Sequence, residues 1–256
     1  MAKAILFDST RCVGCRECEK ACAEKWGNPY NDQIAEAEKL SAQKLTTIVT
    51  HGERFQRRLC LHCAEPTCVS VCPVGAFEKT ALGPVVYDEK KCIGCRYCIM
   101  ACPFQVPAYE WSEILPRVRK CDMCYERQAK GQPTACTEVC PADATLSGDY
   151  DAMVAEAKKR LAESPGDYQP YIYGLREVGG TSVLFLSAVP FQELGLRTDL
   201  PKSPLPPLTW SVLSAVPDIA ASGAVLMGGI YWITHRREAV AKAEGRRPGR
   251  QKEVRQ

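Results

Sequence analysis

The sequence predicts an α+β fold: two nested modules built from one repeated motif, followed by a single C-terminal transmembrane helix. Three observations predict it. Sixteen cysteines fall into four groups of four, strand-like pieces bounded by turn residues lie between groups, and the segment from Leu208 to Ile233 is almost entirely apolar. At 256 residues the chain suffices for one large domain or two small ones with real cores.

The cysteines decide the chemistry. Cys12, Cys15, Cys18 and Cys22 are spaced C-x2-C-x2-C-x3-C, and Cys92, Cys95, Cys98 and Cys102 repeat that spacing. Cys60, Cys63, Cys68 and Cys72 have x4 before the third cysteine, and Cys121, Cys124, Cys136 and Cys140 have x11. Pro73, Pro103 and Pro141 follow the last cysteine of three groups, with Ala23 in that place in the first. A disulfide scaffold requires an oxidising compartment and is usually much smaller. Zinc sites use C-x2-C pairs separated by longer gaps and seldom a third cysteine so close. Cysteines two residues apart instead wrap a loop around a cubane, offering three thiolates to three irons, while the fourth starts a helix and ligates the other cluster of a pair. Gly14 and Gly94 sit where such a loop must bend tightly. Every group is complete, so four [4Fe-4S] clusters are expected on all sixteen cysteines.

This reading revises the charge. The formal +3 counts the cysteines as neutral. An oxidised cubane with four thiolates carries about −2, so four sites take the holoprotein to about −5. A nucleic-acid partner is not expected.

Taken in order, the N-terminus shows no secretory signal, because Asp8 and the first cysteine group follow Ile5-Leu6-Phe7 at once, and no twin-arginine pair precedes them. Glu24 to Arg58 reads as an insertion with a helical stretch over about 33–44. Groups two and three, about 59–104, resemble one intact two-cluster ferredoxin, with Gly83-Pro84-Val85-Val86-Tyr87 strand-like between them. Groups one and four then pair around it, giving two nested ferredoxin-like modules within 1–164. This arrangement implies crossed ligand sets. Cys12, Cys15 and Cys18 would share a cluster with Cys140, and Cys121, Cys124 and Cys136 one with Cys22. Cys60, Cys63 and Cys68 would join Cys102, and Cys92, Cys95 and Cys98 would join Cys72.

Asp149 is placed to cap a helix through Met153, Ala157 and Leu161, with Gly166 beyond its end. Residues 165–207 read as an extended partner-contact segment, with Val183 to Leu186 as a strand and four prolines from Pro201 to Pro207 as a stiff linker. The apolar run from Leu208 to Ile233, within a helix taken as 208–234, spans about 39 Å, more than the hydrocarbon core. Trp210 and Tyr231-Trp232 stand at its two ends, Pro217 kinks it or marks its effective start, and Asp218 is its only charge. The tail 235–256, opening with His235-Arg236-Arg237, is basic. The positive-inside rule then puts the C-terminus in the cytoplasm and the cluster domain on the periplasmic side of a bacterial inner membrane.

Arg11, Arg16, Lys91, Arg96 and Lys120 flank the cysteine loops; solvation is the preferred expectation, tuning of cluster potentials through their charge the alternative. His51, His62 and His235 are too scattered for a haem or zinc site, and His62, inside the second loop, is expected either to pack there or to hydrogen-bond beside the cluster. No nucleophile–base pair or phosphate-binding glycine loop appears, so no catalytic residue is assigned.

The four groups in this order, then Tyr173-Gly174-Leu175-Arg176-Glu177-Val178-Gly179-Gly180-Thr181 and one C-terminal span, resemble the beta subunit of membrane-bound formate dehydrogenases. The ferredoxin-like subunit of membrane-bound nickel–iron hydrogenases is similar, and Leu186-Ser187-Ala188-Val189-Pro190 is closer to that branch. The resemblance covers about Phe7 to Ile233. It implies a non-catalytic electron-transfer subunit. Electrons would come from a catalytic partner with a molybdenum or tungsten pterin or a nickel–iron centre. They would pass to an integral membrane partner that binds quinone or haem. The missing twin-arginine signal favours the formate dehydrogenase branch. A free polyferredoxin is the alternative that the C-terminal span argues against.

Overall fold

The computed structural model describes residues 2–114 and 116–245; part of the basic tail, 246–256, lies outside the described residues. Two compact units divide between Pro206 and Pro207.

In the first unit, β1 (Lys3–Asp8) leads into the first cysteine group, whose last two cysteines lie on α1 (Glu17–Trp26). A hairpin of β2 (Thr47–His51) and β3 (Arg54–Arg58) follows, turning at Gly52-Glu53. Then come α2 (Thr67–Ser70), β4 (Phe77–Lys79), β5 (Val85–Tyr87) and α3 (Tyr97–Ala101). Next are β6 (Ala108–Tyr109), β7 (Val118–Arg119), α4 (Tyr125–Ala129) and α5 (Ala135–Glu138). The unit closes with β8 (Thr145–Asp149), α6 (Tyr150–Glu163), a 3₁₀ turn at Glu177–Gly179 and β9 (Val183–Leu186).

The central sheet has the order β8-β1-β9, with β1 antiparallel to β8 and parallel to β9. Strand alternation gives it two apolar faces. Leu6, Leu184 and Leu186 point to the face covered by Met153, Ala157 and Leu161 of α6. Ile5, Phe7, Val183 and Phe185 point to the other, where they pack in one core with Cys18, Cys121 and Cys136. The sheet is therefore the floor on which the cysteine loops stand.

The strand at Val183–Leu186 and the helix after Asp149 lie where the sequence puts them. Asp149 does not cap that helix with its side chain, because its carboxylate accepts from Lys3 Nζ at 2.7 Å. The helical stretch expected over 33–44 is a run of turns. Lys44 reaches back to the Ala35 carbonyl (2.6 Å) and to the buried Glu19 carboxylate (2.7 Å), holding the loop against α1 instead of letting it wind. The segment 165–207, expected to be an extended surface for a partner, is largely folded into the first unit through β9. Tyr173 is fully buried and Thr181 nearly so.

The second unit holds α7 (Pro206–Leu213) and α8 (Val216–Ala243). The apolar segment breaks at Ser214-Ala215, and Pro217 stands in the first turn of α8, where its missing N–H costs no hydrogen bond. The stretch Pro206–Ala243 contains an 18-residue window with a mean hydropathy of 1.5, and none of its residues is buried inside the protein except partly at its ends. Twenty-eight residues of α8 span about 42 Å, enough to cross a bilayer. At its far end His235 stacks on Tyr231 and Arg236 lies over the Trp232 ring.

Candidate metal centres

Backbone pairing draws the cysteine groups together. Group one leaves the end of β1 and group four enters the start of β8, and these strands are neighbours. Asp8 N–H donates to the Ala144 carbonyl at 2.7 Å just where the two loops begin. The result is a pocket lined by Cys12, Cys15, Cys18 and Cys140 together with Phe7, Ile48 and Thr145. Packing of α1 on α5 sets Cys18 and Cys22 beside Cys136. The inner groups follow the same plan. The β4–β5 hairpin joins the end of group two to the start of group three, Asp88 N–H donating to Ala76 O at 2.8 Å. Helix α2 packs on α3, and Thr67 Oγ1 donates to the Ala101 carbonyl at 3.0 Å.

Each loop needs a left-handed residue just before its second cysteine. Gly14 (φ +69°) and Gly94 (φ +71°) supply it in groups one and three, whereas His62 and Met123 adopt it in groups two and four. A Cβ at Gly14 would lie 2.5 Å from the Phe55 ring, so glycine is also required for the ring to close over the loop. Loop N–H groups turn inward to sulfur: Ala76 to Cys72 Sγ (3.2 Å), Met123 to Cys121 Sγ (3.3 Å) and Ala135 to Cys124 Sγ (3.4 Å).

Electrostatics separate these thiols from idle ones. Burial pushes Cys18, Cys22 and Cys68 up to about 12, with neighbouring cysteines adding to the shift. Cys12 is raised by burial and then by Cys140 and Cys15, and Cys63 by burial and then by Cys60, Cys102 and Cys68. Clustered buried thiols of this kind ionise only when a cationic centre compensates them, which is the state of a cluster ligand. Among the described residues no three Cys, His, Asp or Glu side chains converge as a single metal ion requires. His62 is fully buried; Val85 N–H donates to its Nδ1 at 2.8 Å, and its Nε2 has no partner among the described residues. An orphaned donor inside a cysteine loop fits a sulfur-rich group. The donor set, the inward N–H groups and this orphan all fit [4Fe-4S] clusters.

Solvation of the flanking cations holds for Lys91 and in part for Arg11, but not for Lys120, which is 6% exposed. Its ammonium donates to the Val85 and Cys121 carbonyls, lies over the Phe77 ring and has no carboxylate partner among the described residues. Arg96 covers Tyr109 and Trp111. The Gly-Gly-Thr segment braces the second loop from behind: Ala64 N–H donates to Gly180 O at 2.9 Å and Ser182 N–H to Leu61 O at 3.0 Å. Arg57 has no counterpart in the sequence reading. It is buried against Cys18 and Cys136, and the signal for it was the β-branched run Thr46–Thr50 followed by Gly52, which marks a hairpin.

Fold and site thus define an iron–sulfur electron carrier with an apolar C-terminal helix. Two family models, each described as a 4Fe-4S dicluster domain, match residues 52–150 and 11–76. The chain is 38% identical over 254 residues to a protein of Nitratidesulfovibrio vulgaris, covering 94% of this chain and 69% of that one. It is 36% identical to the Hydrogenase-2 operon protein HybA of Escherichia coli O157:H7, over 77% of this chain and 72% of the relative. It is 32% identical to the formate dehydrogenase iron-sulfur subunit of Haemophilus influenzae, over 90% and 80%. The chain belongs to this family of [4Fe-4S] electron-transfer subunits of oxidoreductase complexes.

Proposed function

We propose that the chain relays electrons through four [4Fe-4S] clusters, from a catalytic subunit to an integral membrane subunit that reduces quinone. A bound cluster of this type takes up and releases one electron at a time. The chain's own cysteines would hold the clusters, while the apolar core around Phe7, Ile48 and Phe185 excludes water and inward N–H groups stabilise the ligating sulfurs. The crossed ligand sets are Cys12, Cys15, Cys18 with Cys140; Cys121, Cys124, Cys136 with Cys22; Cys60, Cys63, Cys68 with Cys102; and Cys92, Cys95, Cys98 with Cys72. They make two nested modules within 1–164. The observation that carries this reading is the β1–β8 pairing, which brings the two ends of the chain's cysteine series around one pocket.

Helix α8 anchors the chain by a single pass. The cations at its end, Arg236, Arg237 and Lys242, favour a cytoplasmic C-terminus and a periplasmic cluster domain in the inner membrane. The catalytic partner is of the formate dehydrogenase type, with a molybdenum or tungsten pterin. The identity with HybA favours a second reading, a nickel–iron hydrogenase, in which the relay is unchanged.

Serine substitutions in the intact complex test the ligand sets by electron paramagnetic resonance (EPR). Cys140→Ser and Cys15→Ser are expected to convert or remove the same cluster signal, and Cys22→Ser a different one. If Cys140→Ser instead acts on the signal changed by Cys136→Ser, the crossed pairing is wrong.

A further inference from the structure

Arg57 heads the largest fully buried side chains of the protein, at 1% exposure. Its Nε donates to Thr46 Oγ1 at 3.0 Å and its Nη1 to Thr145 Oγ1 at 2.9 Å. Both acceptors are neutral, and among the described residues no carboxylate lies within ion-pair distance. The buried carboxylates of Glu19 and Asp8 are ion-paired instead: Glu19 meets Lys44 at 2.7 Å and Asp8 meets Arg160 at 3.0 Å. A buried guanidinium without an anion is strongly disfavoured. An anion must therefore come from something the side chain faces.

What it faces is sulfur. Thr145, which holds Nη1, lines the pocket of Cys12, Cys15, Cys18 and Cys140. Ile48, the β2 residue paired with Arg57 across the hairpin, lines the same pocket. The thiols of Cys136, Cys18 and Cys121 are close enough for their charge to act on the guanidinium. The β2–β3 hairpin thus inserts one fixed positive charge between groups one and four.

We propose that Arg57 is the shared internal countercharge of the two outer clusters and holds both reduction potentials up. The inference rests on the ligand sets proposed above. An oxidised cluster with its four thiolates carries about −2 and the reduced one about −3. A nearby fixed cation stabilises the more negative state and raises the potential. Arg57 is a positioning residue in this sense: it takes no electron itself.

The test is an EPR-monitored redox titration of the intact complex, purified without oxygen, carrying Arg57→Gln or Arg57→Lys. In Arg57→Gln the signals of the two outer clusters are expected to shift to lower potential. Each reduced-to-oxidised ratio at fixed poise should fall by about tenfold or more, which is about 59 mV for one electron. The two inner signals should stay in place, and Arg57→Lys should restore most of the loss. Unmoved potentials in an iron-replete Arg57→Gln complex overturn the proposal, as does a lysine variant shifted as far as the glutamine one. If Arg57→Gln loses iron, the unaltered complex decides: ¹⁵N-arginine labelling should give a nitrogen coupling to a reduced outer cluster, and its absence overturns the proposal. A wild-type complex with fewer than four cluster signals would instead sink the underlying cluster reading, independently of Arg57.

Discussion

Asp8 has no exposed surface, and four donors surround it: Thr10 N–H and Oγ1, the Tyr168 hydroxyl at 2.8 Å and Arg160 Nη1 at 3.0 Å. Removing the carboxylate leaves the nearly buried Arg160 guanidinium with Glu156 as its remaining carboxylate partner, at 2.8 Å. Asp8→Ala is therefore expected to cost about 3–5 kcal/mol, read as a lower denaturant midpoint of the iron-loaded protein; a loss below about 1 kcal/mol would show the pair to be peripheral. The cysteine groups that carry the proposed ligands were legible in the sequence because a cubane fixes their spacing. Arg57 and Lys120 were not, since a charged residue in a strand or beside a loop reads as solvated until the tertiary fold closes over it. His62 stood in plain view, but only the Val85 N–H on its Nδ1 reveals which nitrogen is left without a partner.

Elements that the chain pairs locally and elements it pairs at long range were unequally readable. The strand Val183–Leu186 and the helix Tyr150–Glu163 carry strong local patterns, and both form. The turns at 33–44 consist of helix-forming residues, yet a short isolated helix is costly to nucleate and the Lys44–Glu19 contact outweighs it. The role of Tyr173–Thr181 as a brace is set by partners more than a hundred residues away, at Leu61 and Ala64. Gly174 is the critical point of that brace. At φ +100° a Cβ there would lie 2.4 Å from the Val183 carbonyl oxygen. Gly174→Ala is expected to cost at least about 2 kcal/mol, with the cluster proposed on Cys60, Cys63 and Cys68 lost first on warming. Thermal melts followed by visible absorption check this, and an unchanged melt would contradict it.

For the whole molecule, the sheet, the cysteine loops and the apolar helix describe a wire fixed to a membrane. Charge supports the same picture: the formal +3 becomes about −5 once four clusters are bound, and the clusters supply negative charge near the buried cations Arg57 and Lys120. The order of the cysteine groups points to four clusters, and the length of the apolar segment to a membrane-spanning helix. The break at Ser214-Ala215 was not readable beyond the hint of Pro217. The most direct test is isolation of the native complex without oxygen in mild detergent, with iron quantified against this chain and co-purifying subunits identified. The relay account predicts about sixteen irons assignable to this chain, membrane association, and a large catalytic subunit of the molybdopterin or nickel–iron type. Zinc in place of iron, or recovery as a soluble protein without partners, would contradict it.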